Sequence, residues 1–277
     1  MFCLAAGPLV HHSIMRSRQV ENCLIVVGGR TSPGKPNTSF YALDFGIDAL
    51  SGKITFSVQK GEKRALLNSE SGCIRCQTVD LLEGDVSLAV QSSQREEEGS
   101  LMDYFKCDLT RDGVGITQIP LSFNHPARLS SITRWGSIKV LLSGGWQEGA
   151  AISAVQVYDG EEWTSLCDLA YPRFGHTSHV VDDRFLVLVG GVSHLTEELP
   201  DVAVLDLSSK EQRHFTLDLP PNSQRSDYML FNHTSNLLTG EDGSSRIWIM
   251  GGGGNCFSFG SHFNAHPLTF DVAGVLI

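Results

Sequence analysis

Five groupings in the 277-residue sequence have residue types and spacings that could do chemistry. Cys73-Ile74-Arg75-Cys76 has the two-residue gap of thiolate zinc sites and dithiol redox centres. His176 with His179, and His262 with His266, are imidazole pairs of the kind that ligate transition metals. Leu24-Ile25-Val26-Val27-Gly28-Gly29 with Asp44 downstream has the strand, glycine and acid order of an S-adenosylmethionine or dinucleotide site. Between Gly254 and Pro267 stand Phe257, Phe259, His262 and Phe263, flat rings able to stack on exposed bases.

Physical tests thin this set. The cysteine pair has no second pair to complete a zinc site, and residues three apart on a strand point to opposite faces, so structural cysteines are expected. Neither histidine pair has a carboxylate cluster beside it, and His176 in Arg173-Phe174-Gly175-His176 reads as satisfying backbone groups between repeats. A cofactor fingerprint needs a helix after its glycines, whereas Thr31-Ser32-Pro33-Gly34-Lys35-Pro36 breaks helices. No catalytic, metal or cofactor residue is therefore expected. What remains is a candidate interaction surface: Arg30, Lys35 and Trp146 just after glycine pairs, with Phe257, Phe259 and His262 in the tail. The competing reading has Phe257 and Phe259 sealing the last repeat. Glu96-Glu97-Glu98 reads as a solvated acidic loop.

The elements that must position these residues repeat along the chain. Four short β-branched or aromatic runs each end in a glycine pair: Gly28-Gly29, Gly144-Gly145, Gly190-Gly191 and Gly251-Gly252. From each second glycine to the aspartate closing the next strand (Asp44, Asp159, Asp206, Asp271) the intervals are 15, 14, 15 and 19 residues, the last stretched by an insertion. A polar strand lead precedes each: Val10-His11-His12-Ser13, Arg128-Leu129-Ser130-Ser131, Arg173-Phe174-Gly175-His176 and Arg225-Ser226-Asp227-Tyr228. A degenerate copy, with Gln91-Ser92 in the doublet's place, fills the gap between the first two pairs. Five units of strand, strand, Gly-Gly, loop, strand follow, at about 8–60, 64–118, 125–166, 171–217 and 224–277, in one domain.

Composition bounds the function. Twenty-one Lys plus Arg against 31 Asp plus Glu give a formal charge of −10, which disfavours autonomous nucleic-acid binding. No apolar run is long enough to span a bilayer, and seven scattered cysteines do not form a disulfide framework. A reducing, cytoplasmic compartment is expected.

A small antiparallel sheet leaves one face bare, and radial stacking covers it. The units resemble kelch repeats, which implies an all-β, kelch-type β-propeller of about five recognisable blades, or a truncated six- or seven-bladed ring. Met1 to Ala6 is expected to pair with the last unit and close the ring. Three strings are more distinctive: Gly28-Gly29-Arg30-Thr31-Ser32-Pro33, Leu142-Ser143-Gly144-Gly145-Trp146, and the tail from Gly251 to Asn264. Together they resemble the carboxyl-terminal kelch region of the wybutosine-synthesising, leucine-carboxyl-methyltransferase-like family. The resemblance implies an accessory role for this chain in modifying the guanosine beside the anticodon of phenylalanine tRNA. Its implied partners are a methyltransferase domain, another protein, or that tRNA within a larger enzyme. S-adenosylmethionine would serve the methyltransferase and not this chain. A generic kelch adaptor is the alternative function; a propeller oxidase would need a copper-ligand set that five Tyr and scattered Cys do not supply.

Overall fold

The computed structural model describes residues 3–4, 7–8, 10–16, 21–32, 35–36, 41–60, 75–80, 87–92, 102–110, 113–119, 127–195, 199–221, 223, 228–256 and 260–276. These are nearly all β, with one four-residue helix, Ala273–Leu276, among them. The chain divides into two compact units, Met1–Pro126 and Ala127–Ile277.

The first unit holds two antiparallel sheets, each with four main strands side by side in chain order, the first carrying the short strand Lys35–Pro36 as a fifth. Sheet 1 is Val10–Arg16, Cys23–Ser32, Tyr41–Ile47 and Ile54–Lys60. Sheet 2 is Arg75–Asp80, Ser87–Ser92, Met102–Thr110 and Gly113–Ile119, the copy that lacks a glycine pair. The second unit holds sheet 3 (Ser131–Trp135, Lys139–Ser143, Ala154–Tyr158, Trp163–Asp168) and sheet 4 (Thr177–Val181, Phe185–Val189, Val202–Asp206, Gln212–Phe215). Sheet 5 has three strands, Thr234–Thr239, Ser245–Met250 and Leu268–Asp271. Each sheet lies within one of the five sequence units to within two residues. None of them closes on itself; each is an open ladder.

Sheet 4 shows why these runs are so apolar. Side chains alternate across a strand, and both faces are covered. Leu186 and Leu188 pack with Leu141, Val155 and Val157 of sheet 3, while Val187 and Val189 pack with Ile247, Ile249 and Leu268 of sheet 5. Each fully buried aliphatic side chain contributes about 1.5–3 kcal/mol. Polar links join the rims of sheets 3 and 4. Trp135 Nε1 donates to the Asp183 carbonyl at 2.8 Å, and the Gln212 side chain accepts from Ala170 N–H and donates to the Asp168 carbonyl.

The main coupling is a clasp at the glycine pairs. Gly145 N–H donates to the Arg173 carbonyl at 2.8 Å, and Gly191 N–H to the Leu230 carbonyl at 2.6 Å, each time reaching the lead of the next sheet. A Cβ on Gly144 would lie 2.4 Å from that Arg173 carbonyl and 2.8 Å from the His176 ring. A Cβ on Gly190 would lie 2.4 Å from the Leu230 carbonyl and 2.9 Å from the His233 ring. With φ of +55° and +63°, these glycines meet both demands at once: left-handed backbone and no side chain.

Four expectations are corrected. The first strand run does not stop at Gly28-Gly29: Cys23–Ser32 continues through it, because Lys35–Pro36 pairs back against Arg30 and Ser32. Cys3–Leu4 pairs with the nearby Gly7–Pro8 and adds no strand to sheet 5, a local contact with a lower loop-closure cost; Met1, Phe2, Ala5 and Ala6 lie outside the described residues. The insertion before Asp271 contains a hairpin, Gly253–Cys256 against Gly260–Phe263. The lead of the last unit is Leu230-Phe231-Asn232-His233, since Asn232 N–H donates to Gly175 and Gly191 N–H to Leu230; Tyr228 lies ahead of it, and 225–227 fall outside the described residues.

Replacing Gly144 by Ala is expected to cost at least about 2 kcal/mol more than replacing Gly251 by Ala. The second change carries only the ~1–2 kcal/mol of left-handed backbone strain, since no described atom lies within 4 Å of its Cβ position. Urea unfolding of the two variants checks the difference.

Candidate functional site

Two clusters in the second unit stand where the sheets meet. The first is polar. His176 Nε2 lies 3.0 Å from Ser143 Oγ, on sheet 3. His233 Nε2 lies 2.9 Å from Thr177 Oγ1, which lies 2.5 Å from Ser235 Oγ, which in turn lies 2.6 Å from His179 Nε2. Two imidazoles are thus joined through two hydroxyls, and a further pair, Ser131 and Ser178, meets at 2.8 Å. Strand alternation explains the directions: Thr177 and His179 face sheet 5, while Ser178 faces sheet 3. His176 and His179 therefore bond to opposite neighbours rather than converging on one ion. Among the described residues no three His, Cys, Asp or Glu side chains are grouped to hold a metal.

Burial alone pulls His179 down to about 4, with no charged neighbour contributing. The Ser143–His176 and Thr177–His233 contacts each tie one sheet to the next, which is structural work. The described thiols are unsuited to attack. Cys23 is pushed up to about 11 by burial and then by Asp44, and Cys167 is raised chiefly by burial. Buried Arg173 holds the glycine end of sheet 4, its Nη1 donating to the Gly190 carbonyl at 2.8 Å; desolvation lowers it to about 10 against the opposing effect of Asp201.

The second cluster is aromatic, and Trp146 is its first member. Its ring centroid lies 4.8 Å from Phe174 and 5.5 Å from His194, and Phe174 lies 5.7 Å from Phe231, the last two contacts edge to face. The backbone fixes the row. Trp146 exchanges hydrogen bonds with Arg128 at 2.8 and 2.6 Å, and Phe174 exchanges them with Val192, so after these two doublets the next residue pairs with a residue of a strand lead. His194 Nδ1 accepts the Ala151 N–H at 3.1 Å, and the neighbouring Leu195 is 63% exposed. Trp146, Phe174 and Phe231 are half-buried, each with one part packed and one part presented.

The other predicted surface residues are distributed differently. Arg30 pairs with Val10 and Pro36, and Lys35 with Ser32, on one corner of sheet 1 in the first unit. His262 sits opposite Gly254 in the tail hairpin. Phe257, Phe259, Cys73 and Glu96-Glu97-Glu98 lie outside the described residues. Sequence reasoning missed Phe174, Phe231, His194 and His233. The signal for two of them was an aromatic at the second lead position, one residue before Gly175 and one before Asn232.

No protein-family model matches the chain. Over 104 residues it is 34% identical to tRNA wybutosine-synthesizing protein 4 of Homo sapiens and 38% identical to the protein of that name from Rattus norvegicus. Each match covers 38% of this chain and 14% of the relative, so the matched region is a small part of the relatives' length. The similarity supports a partial relationship to that tRNA-modification family. No helix among the described residues is long and apolar enough to cross a membrane.

His179 sets a pH dependence. Its folded value lies below the ordinary 6.5, so its contribution to stability is complete above 6.5 and is lost as pH falls toward 4. The unfolding free energy is expected to fall by up to about 1.4 kcal/mol per pH unit in that window. His179→Gln should flatten the slope, leaving the smaller share of His214, whose value burial and then Arg173 also lower. Asp206, held at about 2 chiefly by Arg184, loses its contribution only below this window. Denaturant titrations from pH 7 to 4.5 check the slope.

Proposed function

We propose that this chain is a noncatalytic kelch propeller of the tRNA wybutosine-synthesis family, a scaffold that positions substrate or enzyme through its post-doublet loops. The carrying observation is the row Trp146, Phe174 and Phe231: half-presented rings, one just after a glycine pair and two in the leads of the following sheets, that touch one another in sequence where the sheets meet. Partial similarity to proteins named for wybutosine synthesis supplies the family. Five sheets of strand-by-strand order, three of them coupled by glycine clasps, support the propeller reading. The S-adenosylmethionine chemistry of the family would belong to a methyltransferase domain acting with this chain in the cytoplasm. Its substrate would be the guanosine next to the anticodon of phenylalanine tRNA.

A net charge of −10 weights the contact toward stacking and away from phosphate. The adaptor reading, in which the same rings bind only protein, gains from that charge and is the competing outcome. Phenylalanine tRNA is expected to bind the purified chain weakly, with a shallow salt dependence. Trp146→Ala should weaken it about tenfold, since one base–ring stack is worth ~1–3 kcal/mol. Filter binding across salt measures both. Unchanged affinity in Trp146→Ala rejects the aromatic row as the contact, and no binding at low salt favours the adaptor reading.

A further inference from the structure

The loop hairpin after the Gly144-Gly145 pair is closed by a side chain from the next sheet of the same unit. Trp146–Gln147 pairs with Ala150–Ala151, and Trp146 bonds Arg128 on its other edge. Ala151 is buried, and its N–H points out of this two-strand ladder. A buried donor needs an acceptor, and His194 Nδ1, from the loop after Gly190-Gly191, supplies it at 3.1 Å. An Nδ1 that accepts carries no proton, so the imidazole proton sits on Nε2. The exposed His194 ring thus presents an N–H donor whose tautomer is set by the backbone of its neighbour.

Trp146 presents a second donor. An indole nitrogen can only donate, and among the described residues Trp146 Nε1 has no hydrogen-bond partner and is not buried. His194 Nε2 has none either, since the ring makes its one hydrogen bond through Nδ1. The two ring centroids lie 5.5 Å apart with their planes at 79°, and Phe174 is 4.8 Å from Trp146 on the half-presented row.

The surroundings select the acceptor. Both donors are uncharged, and Glu148 stands exposed in the turn of the same hairpin within a chain of charge −10, so a phosphate or carboxylate gains little here. A peptide carbonyl brings one acceptor and no flat face for the rings. A base brings acceptors and a face together. On one edge a 6-oxopurine carries two neighbouring acceptors, N7 and O6, whereas adenine has an amino donor in place of the second.

We infer that Trp146 and His194 read the N7/O6 edge of an unpaired 6-oxopurine, donating from Nε1 and Nε2 while the purine ring lies against the aromatic row. The assignment rests on the tRNA reading and adds to it which base the row selects and by which atoms. The His194–Ala151 bond is what holds the second donor in place.

The probes are five-nucleotide RNAs of uridine with guanosine, inosine, adenosine or 7-deazaguanosine at the centre, titrated into the full chain at low salt and followed by fluorescence anisotropy. Guanosine and inosine are expected to bind alike, and adenosine and 7-deazaguanosine at least about tenfold more weakly. Trp146→Phe, which keeps a ring and removes the N–H, should abolish that preference, as should His194→Phe. The changes of base leave the protein untouched, so the test does not depend on a variant folding. Equal binding of guanosine with adenosine or with 7-deazaguanosine, or a preference that survives both substitutions, overturns the inference and leaves the tRNA reading standing if phenylalanine tRNA still binds. Absence of binding by every RNA, phenylalanine tRNA included, overturns both.

Discussion

The second unit depends on one contact, in which the backbone of a glycine pair takes the lead of the following sheet. A carbonyl and an imidazole come within 3 Å of where a side chain would begin, and the adjoining N–H is satisfied by that same carbonyl. Buried backbone groups must be paired, and a sheet end that terminates in solvent would leave its last donors to water. Here the next sheet supplies the partner. Close approach, left-handed backbone and donor satisfaction are one requirement, and only glycine meets it. The apolar packing of Val187, Val189, Ile247 and Ile249 then follows, because the clasp sets the spacing at which those side chains interdigitate.

The polar chain and the aromatic row are consequences of the same junction. His233 reaches Thr177 because sheet 4 carries valine where sheet 3 offers the Ser143 hydroxyl, so the imidazole turns to the neighbouring strand. Phe174 and Phe231 stand two residues ahead of the imidazoles, on the side where Trp146 emerges from the preceding doublet. The half-presented rings beside this junction are what the proposed positioning role would use.

Much of this architecture was legible in the residues. The glycine pairs mark the ends of second strands in sheets 3, 4 and 5, and even the copy without a pair was found, from its strand order around Gln91-Ser92. What failed did so for physical reasons. The last lead was missed because a longer connection shifts it five residues beyond the counted Arg225-Ser226-Asp227-Tyr228, and spacing alone does not see a hydrogen bond. Gly28-Gly29 looked like a strand end, but Lys35–Pro36 adds a pairing partner that carries the strand onward. The ring contacts of Trp146 were invisible because Phe174 and His194 are brought to it by two different loops.

Amide hydrogen exchange at three glycines tests the coupling most directly. Gly145 and Gly191 donate into clasps, whereas among the described residues no backbone carbonyl accepts from Gly252. Exchange at Gly145 and Gly191 should require opening of the sheets and proceed at least about a hundredfold more slowly than at Gly252. Equal exchange at all three positions would contradict the clasp as the contact that holds the sheets together.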